Sequence, residues 1–347
     1  MKKTITDELL SIKFPSSNNI FLKEKNIKKI DQDNKSINIE IELNFVAKKR
    51  LDELQQLIEK KISSSQGLLT KVFLTSKIKS HKVQQGLSPL KGVKNIVAIA
   101  SGKGGVGKST TSVNLAIALK LEGYNVGLLD ADVYGPSQPR MLGVSGRPAS
   151  VGGDMVAPLQ NFGISLMSMG LLVPDDTAMI WRGPMVQSAL TQMLNSVAWG
   201  NLDVIVIDLP PGTGDIQISL AQQVNLAGAV IVSTPQDIAL LDVVKALTMF
   251  QKANVPVLGM IENMSYWSCP DCGRVDHIFG EGGVKAEAKK RDIELLGEIP
   301  ISAEVRKSSD SGIPIIISEP QSIQSKNYRN IAKNLIKSIK LDEEELV

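Results

Sequence analysis

Residues Ile96–Thr111 read IVAIASGKGGVGKSTT. An apolar run, Ile96–Ala100, gives way at once to Gly102-Lys103-Gly104-Gly105-Val106-Gly107-Lys108-Ser109. A glycine, four residues, then Gly-Lys-Ser is the spacing of a phosphate-binding loop. Glycine reaches backbone angles closed to other residues and has no side chain to block close approach. Successive N–H groups can therefore converge on phosphate oxygens, aided by the positive end of the helix that follows. The spacing places Lys108 to reach the β- and γ-phosphates and the Ser109 hydroxyl to ligate Mg2+. The flanks agree: a strand precedes the octet, and Ser109–Glu122 reads as a helix stopped by Gly123. Gly102 through Ser109, with Thr110 beside them, are the candidate nucleotide-binding residues.

Outward from this loop, apolar runs alternate with helical patterns from Asn95 onward, the signature of a parallel sheet covered on both faces. Candidate strands are Ile96–Ala100, Val126–Leu129, Val204–Ile207, Ala229–Val232, Val257–Ile261 and Leu295–Ile299, with helices over Ile238–Phe250, Val284–Arg291 and Asn327–Ile339. Ligands of such sheets bind beyond the carboxyl ends of the strands, so the residues just past each strand carry the chemistry. Past the second come Asp130-Ala131-Asp132-Val133-Tyr134-Gly135-Pro136-Ser137, two carboxylates able to orient Mg2+ or an attacking water. Past the third come Asp208-Leu209-Pro210-Pro211-Gly212-Thr213-Gly214-Asp215, whose first acid is the second Mg2+-side element a phosphate-loop enzyme requires. Past the fifth, Glu262-Asn263-Met264 stands where guanine-specific sites carry Asn-Lys-x-Asp, which favours ATP over GTP. Ser268-Cys269-Pro270-Asp271-Cys272-Gly273 follows, and GRVDHIFGEGG after it reads as loop.

Cys269 and Cys272 are the chain's two cysteines, which excludes a secreted disulfide scaffold. Two thiols three positions apart can grip one metal centre, but a zinc or iron–sulfur site usually takes four ligands. His277 could add one, although a lone loop histidine is more often solvated. Two such pairs meeting on a dimer axis would complete a four-cysteine site. A labile bridging iron–sulfur cluster is the favoured reading, with structural zinc and redox or incidental use standing beside it.

The 347 residues have room for a large domain plus a small one. Residues 1–80 read as a small α/β auxiliary domain. Its cues are a short helix over Thr4–Ile12, strict alternation through Ile37, Ile39, Ile41, Leu43 and Phe45, helical spacing of Leu51, Leu54, Ile58 and Ile62, and a strand at Val72–Thr75. Residues 81–94, with Gly86, Pro89 and Gly92, read as a linker, with His81 expected at the surface; 95–347 form the ATPase domain. The net charge of +3 hides 19 basic against 10 acidic residues in 1–94. A lysine-rich solvated surface explains that excess better than nucleic-acid binding. No apolar run reaches the roughly 18–20 residues that cross a bilayer. Asp7 and Glu8 interrupt any signal core, and the first arginine is Arg50, so a cytoplasmic location is expected.

GKGGVGKS, with Lys103 directly after the first glycine, resembles the deviant phosphate loop of the family containing MinD, ParA, the nitrogenase iron protein and the Mrp ATPases. The resemblance implies a homodimer in which Lys103 reaches the partner's phosphates and supplies the charge of an arginine finger. In the same matching, DADVYGPS resembles switch I, where Asp132 orients water for attack on the γ-phosphate. DLPPGTGD resembles switch II of Mrp proteins, where Asp208 holds Mg2+, and Asn263 meets the adenine edge with Pro300–Glu304 closing over the base. With SCPDCG and Trp181-Arg182-Gly183-Pro184-Met185 the likeness narrows to the Mrp group of iron–sulfur cluster carriers. It implies an α/β fold, a mostly parallel phosphate-loop NTPase sheet preceded by the small domain. It also implies ATP, Mg2+ and a cluster, 4Fe–4S and dimer-bridging, passed between scaffold proteins and apoproteins. The front module resembles the small domain preceding the ATPase in bacterial Mrp proteins, but Phe14-Pro15-Ser16-Ser17 lacks an acidic residue beside the proline. The alternative is a positioning ATPase of the MinD/ParA sort acting on membrane or DNA. It gives the CxxC no role, and Leu341-Asp342-Glu343-Glu344-Glu345-Leu346-Val347 is too acidic for an anionic lipid surface.

Overall fold

A computed structural model describes residues 2–13, 22–43, 51–76, 78, 80, 81, 84, 87–133, 135–172 and 183–339. Phe14–Ser17, Phe45, Tyr134, Trp181, Arg182 and the acidic segment 341–347, all drawn on above, lie outside the described residues. The chain forms two compact units, Met1–Lys79 and Ser80–Val347.

In the first unit, helix α1 (Lys2–Leu10), strands β1 (Ile27–Gln32) and β2 (Ser36–Leu43), helix α2 (Leu51–Gln66) and strand β3 (Leu69–Ser76) follow in order. The sheet order is β1-β2-β3, with β2 antiparallel to β1 and parallel to β3. Alternation in β2 sends Ile37, Ile39, Ile41 and Leu43 to one face, where they join Ile5, Leu9, Leu54, Ile58, Ile62 and Val72 in one aliphatic core. Strand β1 escaped the sequence reading because IKKIDQ is an exposed edge whose lysines mask its period. The opposite edge, β3, is covered from within. The Thr70 N–H donates to Ser63 Oγ at 3.1 Å and the Val72 N–H to Glu59 Oε1 at 2.9 Å, so α2 takes donors that would otherwise template another strand.

The second unit begins with β4 (Val93–Ala100), α3 (Lys108–Leu121), β5 (Val126–Asp130) and α4 (Gln138–Met141). A small hairpin, β6 (Ser150–Gly152) and β7 (Met155–Val156), precedes β8 (Leu159–Asn161), β9 (Ile164–Ser168), α5 (Gly183–Asn195) and β10 (Leu202–Asp208). Then come α6 (Asp215–Gln223), β11 (Gly228–Ser233), α7 (Asp237–Lys252), β12 (Val257–Asn263), β13 (Trp267–Ser268) and β14 (Val275–Asp276). Helix α8 (Gly283–Lys290), β15 (Leu295–Ile299), α9 (Ala303–Ser311), α10 (Ile315–Ser318) and α11 (Ile323–Ser338) complete it. Eight strands make one sheet in the order β15-β12-β11-β4-β10-β5-β9-β8, parallel throughout except for β8, which runs antiparallel to β9. The central strands are buried along their whole length, which is why they read as unbroken apolar runs rather than alternations.

All six expected strands of this unit are present. Helix α11 starts earlier than its apolar spacing suggested because the Ser322 hydroxyl accepts the Ser325 N–H at 3.2 Å and caps it. Two expectations are corrected. The stretch after the cysteines is not simple loop, since β14 pairs antiparallel with β13 and closes the CxxC into a hairpin. His81 is buried rather than at the surface, its Nδ1 3.0 Å from the Lys94 carbonyl and its Nε2 3.0 Å from the Asn225 carbonyl. The segment before β4 is thereby tied to the unit it leads into. Among the described residues no helix is long and apolar enough to cross a membrane.

Candidate functional site

The carboxyl ends of β4, β5, β10 and β12 bring the sequence-selected residues into one place. The phosphate loop leaves β4 at Ser101, whose hydroxyl donates to the Lys103 carbonyl at 2.9 Å. It enters α3 through Gly107, which stands at φ 80° in the left-handed region that favours glycine. A Cβ there would lie 2.1 Å from Asn263 Nδ2. At Gly102 a Cβ would meet the Asp242 backbone at 2.3 Å, so the start of α7 packs directly on the loop. Only glycine fits either position. Lys103, Gly104 and Gly105 are exposed, whereas Val106 is buried beneath them.

Lys108 Nζ is buried and donates to Asp208 Oδ1 at 2.7 Å; Ser109 Oγ lies 3.2 Å from the same nitrogen and Asp132 Oδ2 3.9 Å. Asp208 also accepts from Ser112 Oγ at 2.9 Å and Gln138 Nε2 at 2.8 Å. The ends of β4 and β10 are further joined where the Gly212 N–H donates to the Ser101 carbonyl at 3.0 Å. Gln217 Nε2 holds the Pro210 and Pro211 carbonyls at 3.1 and 3.0 Å.

The two acids at the end of β5 and just beyond it, Asp130 and Asp132, have separate tasks. Asp130 is fully buried, and its carboxylate accepts from the N–H groups of Asp132, Ser137 and Gln138 and from Ser168 Oγ. It organises the turn that delivers Asp132 toward Lys108. Burial, and then the nearby Asp208 charge, push its pKa up to about 7. Asn263 ends β12 and donates Nδ2 to the Val106 carbonyl at 2.9 Å. The preceding Glu262 is raised by burial and accepts the Val284 N–H at 2.9 Å, holding the start of α8.

Six residues beyond Asn263, the hairpin presents Cys269, half-buried, and Cys272, exposed. The turn closes through Cys269 N–H to the Arg274 carbonyl and Gly273 N–H to the Cys269 carbonyl, both 2.9 Å. The Cys272 N–H, then the Asp271 N–H and the Cys272 thiol, lower the Cys269 thiol below its ordinary value of 9.0. Thiolate is the form that binds metal. His277 does not join the thiols; its Nδ1 sits 3.2 Å from the Ser265 carbonyl. Among the described residues no cluster of three or more His, Cys, Asp or Glu side chains is placed to hold a metal ion.

Ser112 and Gln138 were missed by the sequence reading. Ser112 had a signal, being four residues after Lys108 and so on the same helix face. Gln138 had none, since nothing in the sequence marks out a lone glutamine.

Residues 92–336 match the family described as ParA, the NUBPL iron-transfer P-loop NTPase. An iron–sulfur protein required for NADH dehydrogenase, mitochondrial, from Arabidopsis thaliana is 53% identical over 254 residues, covering 72% of this chain and 80% of that protein. An iron–sulfur cluster carrier protein from Haemophilus influenzae is 43% identical over 311 residues, covering 89% of this chain and 84% of its own. Among solved structures, a nucleotide-binding protein from Archaeoglobus fulgidus in complex with ADP superposes with a TM-score of 0.60 at 40% identity, over 68% of this chain and 93% of that one.

Proposed function

The chain belongs to the ParA/NUBPL iron-transfer P-loop NTPase family, and on that premise we propose that it is a cytoplasmic, ATP-dependent iron–sulfur cluster carrier. One observation supports this most directly. Strand β12 ends with Asn263 on the phosphate-loop carbonyl of Val106, and the same segment runs on into the hairpin bearing Cys269 and Cys272. A shift of the loop on binding nucleotide is thereby felt at the thiols, and by linkage a bound cluster alters nucleotide affinity.

In this reading the N–H groups of Gly102–Ser109 and the side chains of Lys108 and Thr110 take the phosphates. Asp132 orients the water that attacks the γ-phosphate. Asn263, whose amide nitrogen serves Val106, offers its oxygen to the adenine edge. Ser109 and Asp208 are hard oxygen donors of the kind Mg2+ takes, and a buried carboxamide oxygen beside them, on Gln138, lacks a protein donor among the described residues. The residues present fit that ion, which when bound neutralises charge developing on the phosphates.

Two thiols per chain call for a second chain. Supporting a homodimer, Ile238 and Leu241 stand 63% and 65% exposed at the start of α7, the helix packed on Gly102. Val275 and Ile278 are likewise exposed around the CxxC hairpin. Mating these surfaces would bring Lys103 to the partner's nucleotide and pool four thiolates for a 4Fe–4S cluster, received from scaffold proteins and passed to apoproteins. The first unit serves as an auxiliary domain. A positioning ATPase acting on membrane or DNA is not favoured, because it leaves the thiols without a task.

Anaerobic reconstitution tests the assignment, with iron and sulfide counted per dimer and the absorbance spectrum recorded. The expected result is one cluster per dimer, lost in a Cys269→Ser/Cys272→Ser variant that still binds ATP. A variant that retained its full cluster, or protein that stayed monomeric with ATP and cluster supplied, would refute it.

A further inference from the structure

Gln138 opens α4 six residues after Asp132, and it is fully buried. Its Nε2 donates to the Ser109 carbonyl at 3.0 Å and to Asp208 Oδ2 at 2.8 Å. Both partners are acceptors, so the hydrogen-bond network fixes which end of the carboxamide faces them. The oxygen, Oε1, then has no hydrogen-bond partner among the described residues. Buried acceptors without a donor are rare in folded proteins and call for a specific explanation. The two Nε2 bonds hold the carboxamide in place, and the main-chain N–H, donating to Asp130 at 3.1 Å, holds the backbone that carries it.

We propose that Gln138 is a positioning residue of the Mg2+ site, its Oε1 accepting a hydrogen bond from a water bound to the Mg2+ that Ser109 and Asp208 hold. The proposal rests on the Mg·ATP reading above. Mg2+ dehydrates reluctantly and keeps several waters, each a strong donor. A carboxamide is suited to this place because it offers a donor and an acceptor together. The donor end clamps the two residues that face the metal, and the acceptor end fixes its hydration shell. One side chain thus joins the stretch carrying Asp132 to the phosphate loop and to Asp208. Arrival of Mg2+ with nucleotide would register at three motifs together.

The test compares wild type with Gln138→Leu and Gln138→Glu. Affinity for a fluorescent ADP analogue is measured in EDTA and through a MgCl2 titration. Melting temperature in EDTA serves as the folding control. Both variants lose the Nε2 donor, but only glutamate keeps an oxygen at the Oε1 position. Gln138→Leu should raise the Mg2+ midpoint by about tenfold or more, the scale of a hydrogen bond to a charged partner. Gln138→Glu should leave it unchanged or lower it, since a carboxylate favours the cation. Damage of a merely structural kind would move both variants the same way, and that result overturns the proposal. So does an unmoved midpoint in Gln138→Leu, which would leave Oε1 serving an ordinary buried water. If Gln138→Leu does not fold, Gln138→Met supplies the apolar arm; if neither folds, a raised midpoint in Gln138→Glu overturns the proposal and an unraised one supports it. Wild type whose nucleotide binding ignores Mg2+ overturns the Mg·ATP reading and this proposal with it. A Mg2+ response in wild type with unmoved variants overturns this proposal alone.

Discussion

The side-chain amide of Asn263 donates to the main-chain carbonyl of Val106 at 2.9 Å, across 157 residues of sequence. It joins the last residue of β12 to the middle of the phosphate loop at a buried position, so the bond is shielded from competing water. Replacing Asn263 by alanine leaves that carbonyl unserved and should weaken ATP binding by about 1 kcal/mol, the net worth of such a bond. Asn263→Asp should cost more, because a carboxylate oxygen would then face the carbonyl oxygen. Calorimetric ATP affinities ranked wild type, alanine, aspartate are the expected outcome. An aspartate variant as tight as wild type would remove the coupling on which the carrier reading leans.

Cys269 is held toward thiolate by the N–H groups of Cys272 and Asp271, which a serine at position 272 preserves. In Cys272→Ser, the pH midpoint for iodoacetamide alkylation of Cys269 should fall below the ordinary thiol value. A depressed folded-state value means that thiolate reactivity extends to lower pH than in an ordinary cysteine and is lost as pH falls through it. Cluster loading should fade over the same acid limb. Mass spectrometry of the alkylated protein across a pH series reads the midpoint.

Asp130 titrates in the opposite sense. Its folded-state value, about 7, lies above the ordinary 3.8, so the folded chain holds a proton that the unfolded chain has released. Between roughly pH 4 and pH 7 this residue's contribution to stability is present on the acid side and lost as pH rises. Relative to Asp130→Asn, wild type should therefore be more stable at pH 5 than at pH 8. Urea unfolding of both proteins at the two pH values checks the sign.

The two units have separate hydrophobic cores. Ile58 is wholly buried in the first, among Leu54, Ile62 and the inward face of β2. Ile58→Ala should destabilise that unit by about 2–5 kcal/mol, the range for a large-to-small core substitution. ATP affinity should be unchanged, because none of the nucleotide-site residues belongs to that core. Chemical unfolding followed alongside nucleotide titration separates the two effects.

Much of this protein was legible in its sequence because it is local. GKGGVGKS needs only its own glycines and the helix after it to form a phosphate-loop geometry, so spacing alone singled out Lys108 and Ser109 as candidates. The buried parallel strands read as apolar runs because both of their faces are covered, and every residue in them obeys the same pressure. Cys269 and Cys272 could be read as a pair because a spacing of three positions already lets two thiols approach one another. What the sequence did not hold were relationships made between segments. IKKIDQ forms β1 because its neighbour supplies the ladder, against its own charge pattern. His81 is buried because carbonyls from β4 and from the Asn225 turn converge on it. The two acids of DADVYGPS look equivalent on paper. The tertiary fold makes one a buried anchor of backbone donors and turns the other toward Lys108. Gln138 acquires a place in the site only where the ends of three strands meet. Spacing along a chain fixes what a segment can form by itself, whereas a buried polar atom's partners depend on which distant segments folding brings within about 3 Å.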